Sequence, residues 1–175
     1  MVRTSAAADR PGQSHPGRSQ PISEPDPGMQ IIHSLRAVTV ELNLIGGGFA
    51  AANGLHTTDL RAIIELLDAE RAGDVATPGW LGHRLGLNSA SVTALIDRLE
   101  GLGHVRRRRD PTDRRRVLLD VTPSAKDLGW AFFGPLMSTI VAAISTFDAT
   151  EIATVRRFLE TVREAAATYR VEPSG

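Results

Sequence analysis

Residues 88–122 read NSASVTALIDRLEGLGHVRRRRDPTDRRRVLLDVT, and two properties change inside them. The first is the apolar period. Val92, Leu95, Ile96, Leu99 and Leu102 recur at three- and four-residue spacing, the stripe of a helix with one buried face. Beyond Gly103 the period drops to two: Val117, Leu119 and Val121 share one face of a strand. Asn88 or Ser89 caps the helix. His104 to Arg109 and Arg116 to Thr122 read as two strands, and Asp110-Pro111-Thr112-Asp113 has the chemistry of a hairpin tip. The second property is charge. Residues 104–116 carry seven Arg against two Asp, a balance of +5. Residues 30–103 come to −3, residues 117–175 to −2 and the first 29 to zero, so the chain as a whole is neutral. All the excess positive charge sits in one hairpin, the footprint that a phosphate backbone selects.

Upstream of this stretch, Thr77-Pro78 opens a short helix, with Thr as cap and Pro at the first helical position. It carries Trp80, Leu81, His83, Arg84 and Leu85, and Gly86 stops it. Two short helices joined by a Gly-containing turn form a helix-turn-helix pattern. Before it, Thr57 or Thr58 caps a helix to about Arg71, with Leu60, Ile63, Ile64 and Leu67 inward and Asp59 in the first turn, where the helix dipole favours an acid. Ile31, Ile32, Leu35, Val38, Leu42, Ile45 and Phe49 give residues 30–52 a helical period, interrupted by Gly46-Gly47-Gly48. Three glycines cost a helix about 2–3 kcal/mol, so a break, a kink or a close helix crossing is expected there. The first 29 residues hold five Pro, three Gly and four Ser without apolar period, and read as a disordered tail.

Downstream, Thr122 or Ser124 caps a long helix marked by Leu128, Phe132, Leu136, Ile140, Val141 and Ile144. Pro135 inside it predicts a kink or break near Gly134. Asp148 or Thr150 caps a last helix with Ile152, Val155, Phe158, Leu159, Val162 and Tyr169 as its stripe, and the end frays from Glu172. The fold class is thus mainly α with a small β-wing. Residues 1–29 form a tail, 30–56 an N-terminal dimerisation region, 57–122 the winged helix-turn-helix, and 123–171 C-terminal dimerisation helices. The long apolar helices at both ends exceed what the central module can cover, and a second copy of the chain is the economical cover.

Several classes are excluded. The chain has no cysteine, hence no disulfide, thiolate zinc site or thiol sensor. Five scattered His (His15, His33, His56, His83, His104) show no paired-ligand spacing, so no metal or other cofactor is expected. A nucleophile elbow, a dinucleotide fingerprint and a phosphate loop are all missing, which argues against an enzyme. No apolar run reads as long enough to span a membrane and no signal peptide is evident; a cytoplasmic protein without membrane contact is expected.

The order of elements resembles the MarR family of winged-helix transcription regulators. The resemblance is carried by Leu85-Gly86-Leu87, by Val92-Thr93-Ala94-Leu95-Ile96-Asp97-Arg98-Leu99-Glu100, by Gly103-His104-Val105, and above all by the wing from Asp110 through Asp113-Arg114-Arg115-Arg116 to Thr122. It covers about residues 30–170. It implies a homodimer on a pseudo-palindromic double-stranded DNA operator, most often repressing its own or a neighbouring gene, and commonly released by a small phenolic or lipophilic ligand. A winged-helix module that has lost DNA binding and works through protein contacts is the alternative.

A helix in the major groove must present small polar groups outward. Ser89, Ser91, Thr93 and Ala94 are placed to do so, with Asp97 and Arg98 further along; Arg98 could instead pair with Glu100 or a neighbouring acid. The wing needs positive charge at a thin tip for the minor groove, and Arg114, Arg115 and Arg116 supply it. The family's pattern has Asp113 brace Arg115. Arg106 to Arg109 are expected to alternate between phosphate and solvent. The resemblance puts an effector pocket between the dimer helices and the DNA-binding lobe, where His33, His56, Trp80 and Trp130 are the candidate lining residues, with Phe132 and Phe133 beside them.

Overall fold

The computed structural model describes residues 26–169. Six helices and one hairpin follow in the order α1 (Pro27–Ala52), α2 (Thr57–Ala72), α3 (Pro78–Leu85), α4 (Ser89–Gly101), β1 (Val105–Arg109), β2 (Val117–Val121), α5 (Pro123–Ile144) and α6 (Ala149–Thr168). The tail expected over residues 1–29 lies outside the described residues up to position 25, as does the frayed end from Glu172; residues 27–29 already belong to α1. The chain divides into two compact units, Met1–Leu42 and Asn43–Gly175, so that the cut falls within α1.

In the first unit, α1 buries none of its apolar residues: Ile31, Ile32, Val38, Val40 and Leu42 are all about half exposed. The second unit holds the core. Leu60, Ala62, Ile63, Leu66 and Ala69 of α2, Leu81 of α3, Val92, Leu95, Ile96 and Leu99 of α4, and Val105, Leu119 and Val121 of the hairpin pack together. The inner stripe of α2 differs from expectation. Leu66 is buried and Ile64 faces outward, because α2 is covered along Leu60, Ile63 and Leu66 at steps of three.

The glycine triplet does not break α1, which runs unbroken from Pro27 to Ala52. At Gly46 a Cβ would stand 3.2 Å from the Leu60 side chain of α2, while Gly47 and Gly48 meet nothing within 4 Å, so the triplet gives neither a break nor a close approach of the two helix backbones. Phe49, one turn further on, meets Phe132 and Phe133 of α5 at ring-centroid distances of 4.9 and 5.0 Å. These contacts hold the end of α1 in place against the cost of its glycines. Pro135 likewise leaves α5 continuous; one missing N–H is borne by the turns on either side.

Helix ends follow local chemistry. The Thr77 hydroxyl accepts from Trp80 N–H, the Asn88 side chain from Ser91 N–H, and Thr122 from Ala125 N–H. Asp148 caps α6 through Thr150 and Glu151 N–H. At the start of α2 the cap position is His56 rather than a threonine; its N–H donates to Asp59 Oδ2 at 2.8 Å. Gly86 takes φ 67° in the turn between α3 and α4, a conformation that suits glycine.

The two strands pair antiparallel, Val105 with Val121 through Arg109 with Val117. The outer edge of β2 gains a bond from Leu119 N–H to Ala76 O. Val117 shares a face with Leu119 and Val121 as expected, but it lies at the turn end of the hairpin and is more than a third exposed, whereas Leu118 is buried on the opposite face.

One expectation about α5 is corrected. The helix is long and apolar enough, at mean hydropathy 1.4, to cross a membrane by length and composition alone. Its interrupting Gly, Pro, Ser and Thr hide this from a search for an unbroken apolar run. Little of it is interior: Trp130, Phe132, Met137, Val141 and Ile144 are exposed, and α6 buries no residue at all.

Candidate nucleic-acid interface

α4 is built to show one face. Its apolar stripe seals it onto the core, and at 100° per residue Ser89, Ala90, Ser91, Thr93, Ala94, Asp97 and Arg98 are left exposed. Ala90, not singled out in the sequence, lies near the centre of this face with Ala94. The exposed groups are not equally available. Thr93 Oγ1 donates to Ser89 O at 2.8 Å. Among the described residues, the Ser89 and Ser91 hydroxyls have no hydrogen-bond partner.

Arg98 turns back into its own chain. Its Nη2 lies 2.5 Å from Asp59 Oδ1 and its Nε 3.1 Å from Oδ2, across 39 residues of sequence. Asp59 is fully buried. Burial alone would raise its pKa; hydrogen bonds from Arg98 and the His56 N–H, with the nearby positive charge, outweigh this and hold the carboxyl below its ordinary value. The sequence left open which acid Arg98 meets. Neither Glu100 nor Asp97 is the partner, because both turn to Arg107.

The hairpin sorts its arginines by parity. Arg106 and Arg108 share a face with Asp120, which stands opposite Arg106 in the register; their guanidinium Nε atoms lie 3.4 and 2.8 Å from Asp120 Oδ2. Arg107, on the other face, pairs with Asp97 at 2.6 Å and with Glu100. So the three arginines at the base of the wing each have an acid partner within the chain, Arg106 and Arg108 on the more exposed face and Arg107 on the more covered one.

The tip is organised by Asp110. Its Oδ1 accepts from Thr112 N–H at 2.8 Å and Thr112 Oγ1 at 2.6 Å, and Arg116 Nη1 lies 3.7 Å from Oδ2. The Thr112 hydrogen bonds lower the Asp110 pKa. Asp113 does not pair with the Arg115 guanidinium as expected; its Oδ1 accepts the Arg115 N–H at 3.0 Å and so fixes the backbone of the turn, not the side chain. Among the described residues the guanidinium groups of Arg109, Arg114 and Arg115 have no ion-pair partner. Four of seven arginines are neutralised, and the remaining charge gathers at the far end of the wing.

A cleft of about 590 Å³ opens beside α4, lined by Gly47, Ala51, His56, Thr58, Ser91 and Arg98 among others. Of the candidate effector residues it contains only His56. Trp80 packs against the core with the Arg84 guanidinium 5.8 Å above its ring. Trp130 is 69% exposed on α5, and His33 is exposed on α1. Phe132 and Phe133 stack with Phe49 instead. The aromatic candidates on α1, α3 and α5 lie away from the cleft, which is lined mainly by Leu, Ala and Thr side chains together with His56 and Arg98.

Comparison with known proteins agrees with this arrangement. Residues 53–116 match the sequence profile of the MarR family. The HTH-type transcriptional regulator YcgE of Bacillus subtilis (strain 168) is 37% identical over 110 residues, covering 63% of this chain and 69% of that protein. A MepR variant from a multidrug-resistant S. aureus clinical isolate shares the fold with a TM-score of 0.64 at 17% identity, over 78% of this chain and 96% of that one. The S. aureus MepR–DNA complex gives 0.51 at 17%, over 75% and 96%. The likeness runs through the helix-turn-helix to the wing tip, and the chain belongs to the MarR family of winged helix-turn-helix transcriptional regulators, which are DNA-binding proteins and not enzymes.

Proposed function

We propose that the chain works in the cytoplasm as a homodimeric repressor of its own or a neighbouring gene. Each protomer sets α4 in the major groove and the wing tip in the adjacent minor groove of one half of a pseudo-palindromic operator. Ser89, Ser91, Thr93 and Ala94 meet the groove floor and Arg114 and Arg115 the wing's end; Arg116 and Asp113 shape the tip, and Arg98 holds α4 from behind. One observation carries this reading. The cations with no partner among the described residues of the hairpin, Arg109, Arg114 and Arg115, gather at its far end, while the base of the wing is neutralised.

The dimer is supported by the uncovered apolar faces: Ile152, Val155, Phe158 and Leu159 of α6 are each 39–48% exposed, and an apolar stripe left open to water marks an interaction surface. Release by a small phenolic or lipophilic ligand is supported by the cleft of about 590 Å³ that touches both His56 and α4.

A gel shift with the DNA upstream of the protein's own gene tests the reading. A retarded band, a footprint with two-fold symmetry and a steep loss of affinity with salt are expected. Absence of binding to any upstream region would favour a protein-interaction module. Addition of a panel of phenolic and lipophilic compounds to the bound complex tests release.

A further inference from the structure

We propose that α4 reads its half-site through thymine methyl groups rather than through bidentate hydrogen bonds to purines. This rests on the reading of α4 as the major-groove helix. Bidentate recognition of guanine needs Arg or Lys, and of adenine Asn or Gln. From Asn88 to Gly101 only two side chains could serve, and each is occupied. Asn88 Oδ1 caps the helix at Ser91 N–H, 2.9 Å away. Arg98 is fastened to the buried Asp59 at 2.5 Å. Asp97, which could accept from cytosine, already accepts from Arg107 Nη2 at 2.6 Å.

What remains outward is short. Ala90 and Ala94, one turn apart, lie opposite the stripe of Val92, Leu95, Ile96 and Leu99. Thr93 adds a methyl, since its hydroxyl proton is committed to Ser89 O. Side chains of this size let the helix backbone approach the base edges closely. The apolar group that a base pair offers in the major groove is the C5-methyl of thymine. The Ser89 and Ser91 hydroxyls, able to donate or accept, fit any base or a phosphate and discriminate little. The half-site therefore carries thymines beneath Ala90 and Ala94.

The test uses the full-length protein and duplexes selected from a library randomised over about two helical turns. In the best duplex, thymidine is replaced by deoxyuridine one position at a time, which removes the methyl and keeps base pairing. Affinity is expected to fall about fourfold, the worth of one buried methyl group, at about two positions in each half-site and to stay level elsewhere. Salt-dependent binding that ignores every such replacement overturns the proposal. So does a half-site in which 7-deazaguanine, not deoxyuridine, produces the losses. Failure to retain any duplex would overturn the DNA-binding reading itself.

Discussion

Arg98 and Asp59 form an ion pair at 2.5 Å that joins the exposed face of α4 to the buried first turn of α2. The same carboxylate accepts the His56 N–H at the edge of the cleft beside α4. The orientation of α4 is thus tied to a charge that cannot be left unpaired.

Arg98→Ala strands the Asp59 carboxylate in the core. Removing one partner of a buried pair costs about 3–5 kcal/mol, and the lower end is expected because Arg98 is itself 38% exposed. Urea denaturation should show a loss of about 3 kcal/mol, and a smaller loss for Asp59→Asn, which leaves behind only the part-exposed Arg98 cation and no buried charge. Equal and small effects of the two would mean that the pair does not hold α4.

Acid should act through the same group. The folded pKa of Asp59 lies below its ordinary value, so the folded state binds fewer protons than the unfolded chain in that range. The stabilisation is complete above the unfolded value of about 3.9 and is lost as pH falls through the folded one. Asp110, also lowered, acts in the same direction. Melting temperature measured from pH 6 downward should fall less steeply below about pH 4 in Asp59→Asn than in the parent chain.

The wing separates partnered from unpartnered arginines, and DNA affinity should follow that division. Arg115→Ala is expected to weaken operator binding severalfold and lower the slope of log affinity against log salt by about 1 to 2, with no change in melting temperature. Arg106→Ala, whose side chain faces Asp120, should leave the slope nearly unchanged. Identical slopes for the two variants would contradict the assignment of the tip.

Asp110→Ala gives the counterintuitive case. It removes an acid from the hairpin proposed to face DNA, yet should reduce affinity, because Asp110 holds the turn through Thr112 and Arg116. Loss of these bonds costs about 1–3 kcal/mol of local order. A gel shift tighter than that of the parent chain would show that charge outweighs turn geometry.

Phe158→Asp places a charge on the exposed stripe of α6. Sedimentation should then report a monomer, and the concentration dependence of the parent's melting temperature should vanish. Because α6 buries nothing within its own chain, this variant is expected to keep its winged-helix core folded.

Local chemistry alone decided much of this protein. Thr77-Pro78, Asn88 and Thr122 mark helix starts because a cap acts on backbone groups two or three residues away, and the change from period four to period two after Gly103 marks where helix gives way to hairpin. The choice of ion-pair partners was not local. Arg98 had Glu100 and Asp97 within one turn and took Asp59, 39 residues away; those two acids went to Arg107. Only the packed structure decided which of seven arginines keep their charge for a partner, because pairing depends on strand parity and on which carboxylates the core brings within about 4 Å. The glycine triplet gives the same lesson: its helical cost is written in the sequence, while the contact of Gly46 with the Leu60 side chain exists only once α1 and α2 meet.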